Sequence, residues 1–158
     1  KKQIEAKHYV RTMPNIAASV QNSTTTITGD KEAKKSALEI FASIGKSIWV
    51  NTEKQLDIAS AIAGSGPAFL ALVAESISDG GVKAGLERRI CNELVQGLFQ
   101  GTSQLLKTTH PAIIKDSVMS PGGTTAAGFA QLEEGRVRDS FIKAINQSYN
   151  KACELGKK

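Results

Sequence analysis

The longest apolar stretch in this chain of 158 residues covers residues 55–82, and it is the feature that most constrains the fold. Large aliphatic residues recur through it and alanines fill much of the rest, so it is hydrophobic nearly all round. A helix of that kind is buried on several sides, in a core or an oligomer interface. The GSGP segment at residues 64–67 is expected to kink or break it, because proline has no backbone N–H. That segment allows either a close approach to a ligand or a close crossing of two helices.

Beyond residue 53 the patterns typical of strands vanish and the helical period recurs. The predicted helices cover residues 86–107, 111–118, 124–132 and 136–155. We interpret the DGG segment at residues 79–81, with Gly85, as a helix stop and connector. The larger part of the chain is therefore predicted to be all-helical.

The first fifty residues predict a different architecture. Short strands are expected at residues 8–13, 24–28 and 47–50, with a helix over residues 31–44 that Gly45 is well placed to cap. This is the back end of an α/β unit, and three strands with one helix do not make a complete doubly wound domain. The stretch also has no G-x-G-x-x-G turn. It is therefore either the remnant of a truncated domain or a small cap on a helical body.

Composition excludes several classes of protein. A hydrophobic fraction of 41% and a charged fraction of 22% are those of an ordinary globular protein rather than a disordered one. The net charge of +5 with only 5% aromatic residues favours a solvated surface over a nucleic-acid interface. No run of eighteen charge-free apolar residues occurs, so no membrane-spanning helix is expected.

The start of the chain predicts no secretory signal, and its cysteines and histidines predict no metal site. The start at residues 1–5 lacks the apolar region of a secretory signal. Cys91 and Cys153 stand far apart, and we predict two reduced thiols in a cytoplasmic protein. His8 and His110 have no partner at metal-ligand spacing.

The SPGGTT segment at residues 120–125 is the most informative loop. Proline and two glycines make a tight turn, and the threonines fall where the next helix begins. The start of a helix exposes unpaired N–H groups and the positive end of the helix dipole, which suit a carboxylate or phosphate. The alternative, which stays open, is an ordinary interhelical loop with a threonine as N-cap.

Four segments together resemble one family. They are VRTMPN at residues 10–15, AGSGPAF at 63–69, DGGVKAGL at 79–86, and residues 116–132 around the SPGGTT loop. In this order and spacing they resemble the C-terminal part of pyrroline-5-carboxylate reductase. The resemblance implies the tail of a Rossmann α/β domain over residues 1–52. It also implies a helical dimerisation and substrate-binding domain, similar to the C-terminal domain of 6-phosphogluconate dehydrogenase, over residues 53–158.

The resemblance further implies an activity, the reduction of 1-pyrroline-5-carboxylate to L-proline by hydride from NADPH or NADH. The substrate carboxylate is then expected on the N–H groups of Gly122, Gly123 and Thr124 with help from Ser120. The hydroxyl of Thr125, the expected catalytic residue, is expected on the ring nitrogen. The residues expected near the cofactor are Met13, Pro14, Asn15 and Ser117.

The implied assembly is a homodimer or higher homo-oligomer that binds a small-molecule substrate, without nucleic acid or membrane. Met119 and Ser117 depart from the family pattern beside the expected site. Because the glycine-rich nucleotide loop is missing, the chain is expected to be inactive alone. Two alternatives stay open: a related imine or keto-acid reductase, and a non-catalytic helical oligomerisation module.

Overall fold

The computed structural model describes residues 5–156, in which helices predominate. The strands are β1 (Val10–Met13), β2 (Ser23–Gly29) and β3 (Gly45–Trp49). The α-helices are α1 (Lys34–Ala42), α2 (Glu53–Ala59), α3 (Gly66–Lys83), α4 (Arg88–Leu105), α5 (Pro111–Ser117), α6 (Thr124–Glu134) and α7 (Val137–Gly156). Shorter turns are the 3₁₀ segments Ile16–Val20 and Lys31–Ala33 and the π-helical segment Ser60–Gly64.

The chain forms two compact units, and the predicted mainly helical fold class is confirmed. Of the described residues, the first unit contains 5–69 together with 142–156, and the second contains 70–141. The boundary at residue 52 stays a prediction. The expectation about a secretory signal concerns the start of the chain, where residues 1–4 lie outside the described residues.

The first unit is built on a three-stranded sheet in the order β1-β2-β3. β1 runs antiparallel to β2, with Val10 opposite Gly29, and β3 runs parallel to β2, with Ser23 opposite Gly45. The predicted strand–strand–helix–strand order is therefore confirmed. A parallel pair needs a crossover, which α1 supplies.

The central strand β2 is buried although it consists mostly of hydroxyl residues. Ile27 is fully buried, and Ser23, Thr25, Thr26 and Thr28 are each at most 3% exposed. The hydroxyls of Ser23 and Thr25 lie 3.1 Å apart in a hydrogen bond. No buried side-chain oxygen or nitrogen within residues 5–156 lacks a hydrogen-bond partner, so the cost of burying these polar groups is offset.

Gly45 does not cap α1, as the sequence suggested, but begins β3. Its φ is +140°, and a Cβ built on it would lie 2.2 Å from the carbonyl oxygen of Ser23. The helix instead ends at Ser43, whose N–H donates to the carbonyls of Ile40 and Phe41. The glycine is needed because two strand backbones meet at that point.

Two other predicted helix boundaries are wrong. The helix expected to start at residue 31 opens as a 3₁₀ turn and becomes α-helical at Lys34. The DGG segment at residues 79–81 lies inside α3, which ends at Lys83, and Gly85 follows with φ +105°. Gly81 faces α4, since a Cβ there would lie 2.7 Å from the Sγ of the buried Cys91. Its missing side chain permits the helices to approach, and of the residues predicted to stop the helix only Gly85 lies beyond its end.

The GSGP segment changes the type of helix without ending it. α2 passes through the π-helical segment, where the N–H of Ser65 donates to the carbonyl of Ser60 at 3.3 Å, and α3 follows from Gly66. The predicted interruption is thus confirmed as a π turn. The helical stretch Glu53–Lys83 is long and apolar enough to cross a membrane, with a mean hydropathy of 1.6 over its best window, 11% of which is buried. The stretch meets this criterion by length and composition only, and core helices of soluble proteins pass the same test. The expectation that no helix spans a membrane therefore stays a prediction.

The second unit packs α3 against α4 around Cys91 and Val95. A polar cluster joins the two helices, because the buried Ser78 hydroxyl donates to Asn92 at 2.7 Å and accepts from Arg88 at 3.0 Å. Large aliphatic side chains of the unit remain exposed by about half or more: Leu70, Leu72, Leu94, Leu98, Leu105, Leu106. The burial that the sequence predicted for these helices is therefore not achieved within one chain.

Candidate functional site

The turn before α6 is closed by its own backbone. The N–H of Gly123 donates to the carbonyl of Ser120 at 2.9 Å, and Gly122 adopts φ +70°, in the left-handed region. A side chain on Gly123 would press on the same Ser120 carbonyl at 3.0 Å. The two glycines therefore make the turn possible, as the sequence predicted.

α6 begins with backbone donors that the helix does not use. Gly123 is its N-cap, with no side-chain cap, and the first helical bond runs from the N–H of Ala127 to the carbonyl of Gly123 at 3.2 Å. No acceptor within residues 5–156 takes the N–H groups of Thr124, Thr125 and Ala126. These N–H groups lie at the positive end of the helix dipole, and their unpaired hydrogens are suited to binding an anion.

The Gly123 N–H, which was expected to bind the anion, donates within the turn instead. The N-cap of α6 is Gly123, whereas the alternative of an ordinary loop placed a threonine there. The substrate-binding roles of the residues around this turn stay a prediction. The residue that sequence reasoning missed is Ala126. The general rule that the first helical amides lack an internal acceptor predicts it.

The hydroxyl groups around this turn are also accessible. Ser120, Thr124 and Thr125 are exposed, and no hydrogen-bond partner of their side chains occurs among the described residues. Thr125 therefore has both its donor and its acceptor function available.

Lys115 brings a positive charge to the same helix. Its Nζ lies 5.2 Å from the centroid of the Phe129 ring, and it also pairs with Asp116 at 2.6 Å. Phe129 is four residues after Thr125, so the two share one face of α6. Sequence reasoning missed Lys115, because nothing in the spacing of α5 and α6 predicts that contact.

Ser117, a predicted cofactor contact, ends α5. Its hydroxyl donates to the carbonyl of Ile114 at 2.8 Å, and the side chain is exposed. It lies in the second unit with the α6 turn, whereas the other three predicted cofactor contacts lie in the first unit.

Met13, Pro14 and Asn15 line a cleft of about 490 Å³ in the first unit. The π-helical segment forms another wall through Ser60, Ala61 and Gly64, and α7 contributes Lys151. A volume of a few hundred Å³ is typical of small-molecule sites. These three consecutive residues therefore share one opening, and their role as cofactor contacts stays a prediction.

Both polar atoms of the Asn15 side-chain amide form hydrogen bonds within the protein. Its Oδ1 accepts from the N–H of Ala17 at 3.1 Å, and its Nδ2 donates to the carbonyl of Ala63 at 3.0 Å. Its own N–H donates to the Ser23 hydroxyl at 3.1 Å. The residue is therefore a junction between β1, β2 and the π-helical segment.

The carboxylates Glu53 and Asp57 bind one guanidinium. Arg11 contacts Glu53 at 2.6 Å and Asp57 at 2.8 Å, and the hydrogen bond to Glu53 is the main cause that raises the pKa of Arg11 above its usual value. This network links β1 to α2.

The histidines contribute no cluster. The Nδ1 of His110, which precedes α5, accepts from the N–H of Ala112 at 3.2 Å and caps that helix. Within residues 5–156 no group of three His, Cys, Asp or Glu side chains is arranged to hold a metal ion. Cys91 and Cys153 are both free thiols.

Comparisons with known proteins all point to one family. The family model described as pyrroline-5-carboxylate reductase dimerisation matches residues 53–155. A pyrroline-5-carboxylate reductase of Synechocystis is 43% identical over 94% of this chain and 58% of its own length. One from Thermus thermophilus is 37% identical over 98% of this chain and 61% of its own length.

Solved structures agree with the sequence comparisons. A pyrroline-5-carboxylate reductase from Coxiella burnetii superposes with a TM-score of 0.87 at 34% identity, over 94% of this chain and 57% of that one. The Plasmodium falciparum pyrroline carboxylate reductase, solved with NADP bound, gives 0.89 at 31% identity, over 98% and 65% of the two chains. The chain spans about three fifths of the length of the curated relatives it matches.

Proposed function

The chain belongs to the pyrroline-5-carboxylate reductase family, and from that membership we propose that the intact protein reduces 1-pyrroline-5-carboxylate to L-proline, using NADPH or NADH. The observation that carries the proposal is the start of α6, where three N–H groups and the Thr125 hydroxyl are unused by the described residues. A small ring with one carboxylate and one polar ring atom matches that set of donors.

The substrate carboxylate binds the N–H groups of Thr124, Thr125 and Ala126, with the N–H of Gly122 and the hydroxyl of Ser120 beside them. Each hydrogen bond to a charged group contributes about 1.5–3 kcal/mol. The dipole of α6 favours the negative charge at this end. Lys115 adds a positive charge near the same helix face.

Thr125 holds the substrate ring in orientation. Its hydroxyl hydrogen-bonds to the ring nitrogen of the imine, while its N–H contributes to the carboxylate site. Orientation of this kind lowers the barrier by fixing the reacting carbon before the reaction begins. No covalent residue is required, because the nicotinamide supplies the hydride when it is bound.

The residues of this chain that contact the nicotinamide cofactor are proposed to be Met13, Pro14, Asn15 and Ser117. The fit rests on the cleft of about 490 Å³ beside Met13 and on its mixed lining, which offers apolar contact and hydroxyls. The glycine-rich turn that would bind the dinucleotide phosphates does not occur in the 158 residues. We therefore assign the activity to the intact protein.

The proposed partner is a second copy of the chain, as a homodimer or higher homo-oligomer. The match to a dimerisation family and the exposed leucines of α3 and α4 support it. The proposed location is the cytoplasm, where free thiols such as Cys91 and Cys153 stay reduced.

The test compares Thr125→Ala with Thr102→Ala in the full-length protein. Removing the Thr125 hydroxyl should lower kcat/KM for 1-pyrroline-5-carboxylate by roughly 100-fold, the effect of losing one positioned donor. Thr102 in α4 is the matched control, and its variant should keep nearly full activity. Equal losses in the two variants remove Thr125 from the mechanism. Faster turnover of other cyclic imines or keto acids by the wild type would favour the related-reductase alternative.

A further inference from the structure

Pro67 leaves one carbonyl of the π-to-α junction without its helical donor. In a continuous α-helix the carbonyl of residue i accepts from the N–H of residue i+4. For Ala63 that donor position is Pro67, which has no N–H. The donor in the π-helical pattern would be the N–H of Ala68, five residues on, but it donates to the carbonyl of Ser65 at 3.1 Å instead. A helix carbonyl in that position needs a donor from elsewhere in the protein.

The missing donor comes from a distant part of the chain. The Nδ2 of Asn15 reaches the carbonyl of Ala63 at 3.0 Å across a separation of 48 residues. Because Oδ1 accepts from the N–H of Ala17, the orientation of the amide is fixed: only the nitrogen faces Ala63.

This bond holds the β1 turn against the π-helical segment. Met13 packs at the same place, since its methyl carbon lies 3.5 Å from the position that a Cβ on Gly64 would occupy. Met13, Pro14 and Gly64 all line the cleft. Any loosening of the Asn15–Ala63 bond therefore changes the shape of that cleft.

We propose that Asn15, besides lining the cleft, acts as a positioning residue: its amide replaces the backbone donor removed by Pro67 and so fixes the Met13–Pro14 turn for the nicotinamide cofactor. The part of this inference that concerns the cofactor rests on the proposed function. The part that concerns the Asn15–Pro67 coupling does not, because it follows from the hydrogen bonds alone.

A double-mutant cycle in the full-length protein tests the coupling. Asn15→Ala should lower Tm by about 2–6 °C, since it leaves the Ala63 carbonyl without a donor and the Ala17 N–H without its acceptor. In the Pro67→Ala background a new backbone N–H at position 67 serves the Ala63 carbonyl. The same Asn15→Ala change should then cost less, because only the loss of the bond to Ala17 remains.

Asn22→Ala is the matched control. The Nδ2 of Asn22 donates only to the carbonyl of Val20 at 3.0 Å, within its own loop. Its effect on Tm should be the same with and without Pro67→Ala. If Asn15→Ala alone yields no folded protein, recovery of folded protein in the double variant supports the coupling, and failure to recover overturns it. Additive losses in the Asn15 cycle also overturn it.

Kinetics test the positioning role separately. Asn15→Ala should raise KM for the nicotinamide cofactor by about 2- to 10-fold, with a smaller change in kcat, as expected for a weakened contact. Pro67→Ala should restore most of that KM. An unchanged KM beside a coupled Tm leaves Asn15 a purely structural residue and overturns its positioning role. An enzyme without pyrroline-5-carboxylate turnover would refute the proposed function while the melting cycle still stands.

Discussion

Replacing Gly45 by alanine should be one of the most damaging small changes in the first unit. A Cβ at this position would lie 2.2 Å from the carbonyl oxygen and 2.4 Å from the nitrogen of Ser23, and φ is +140°. The unfavourable φ costs about 1–3 kcal/mol. Moving the strands apart would also break the hydrogen bond from the Ser23 N–H to the Ile44 carbonyl, now 2.9 Å, at about 0.5–1.5 kcal/mol.

Together these two terms predict a loss of about 1.5–4.5 kcal/mol, or a Tm lowered by about 5–15 °C. Gly97→Ala is the control, since Gly97 lies inside α4 with nothing within 4 Å of its added Cβ. Alanine there should stabilise the protein by up to about 1 kcal/mol, because glycine is a poor helix former.

The assay is urea unfolding of both variants, followed by far-UV circular dichroism at one protein concentration. If Gly45 were a helix cap, as its sequence position suggests, alanine would cost only about 1 kcal/mol. A Gly45→Ala loss no larger than that, or equal to the effect of Gly97→Ala, would refute the steric argument.

Three further predictions concern packing, charge and assembly. Leu56→Ala should cost about 2–5 kcal/mol in urea unfolding because Leu56 is fully buried, whereas Ile58→Ala on the same helix, where the side chain is 37% exposed, should cost clearly less; similar losses would contradict the assigned core. Arg11→Ala should cost at most about 1 kcal/mol, since its side chain is 49% exposed, and 1 M salt should abolish the difference from wild type; a larger, salt-insensitive loss would mean that the network is buried in the intact protein. Leu98→Glu should lower the mass measured by light scattering toward that of the monomer, while Ile40→Glu, on α1 outside the matched dimerisation region, should leave it unchanged; an unaltered mass for Leu98→Glu would place the interface elsewhere.

Periodicity and turn residues predicted most of the elements. The three strands, the crossover helix and the helices from residue 53 onward follow from local patterns that act within a few residues. The π-helical segment ends at Gly64, the first residue of the GSGP segment, so the interruption lies one turn earlier than the sequence predicted. The turn before α6 was predictable for the same reason, because proline and two glycines determine it locally.

The errors concern contacts between distant parts of the chain. Gly45 looks like a helix cap until Ser23 is placed beside it, and Gly81 looks like a stop until Cys91 is placed opposite. Asn15 and Ala63 are 48 residues apart, and Arg11 and Asp57 are 46 apart. No local sequence pattern predicts which polar groups of distant segments will contact each other. The backbone donors at the start of α6 differ from those expected for a local reason, because the N–H of Gly123 donates within the turn.

The burial of hydroxyl residues along β2 has a consequence for how the sheet aligns during folding. Strand register is normally set by the difference between a hydrophobic and a polar face, since a slip of one residue moves the hydrophobic side chains to the solvent-exposed face. Consecutive Thr25, Thr26, Ile27 and Thr28 are all buried, so that contrast is weak along the middle of this strand. The register of β2 must then be determined at the two ends of the strand, where Gly29 pairs with Val10 and Ser23 pairs with Gly45. In this sheet the residue pairs at the two ends of β2, rather than the buried residues in its middle, determine the strand register.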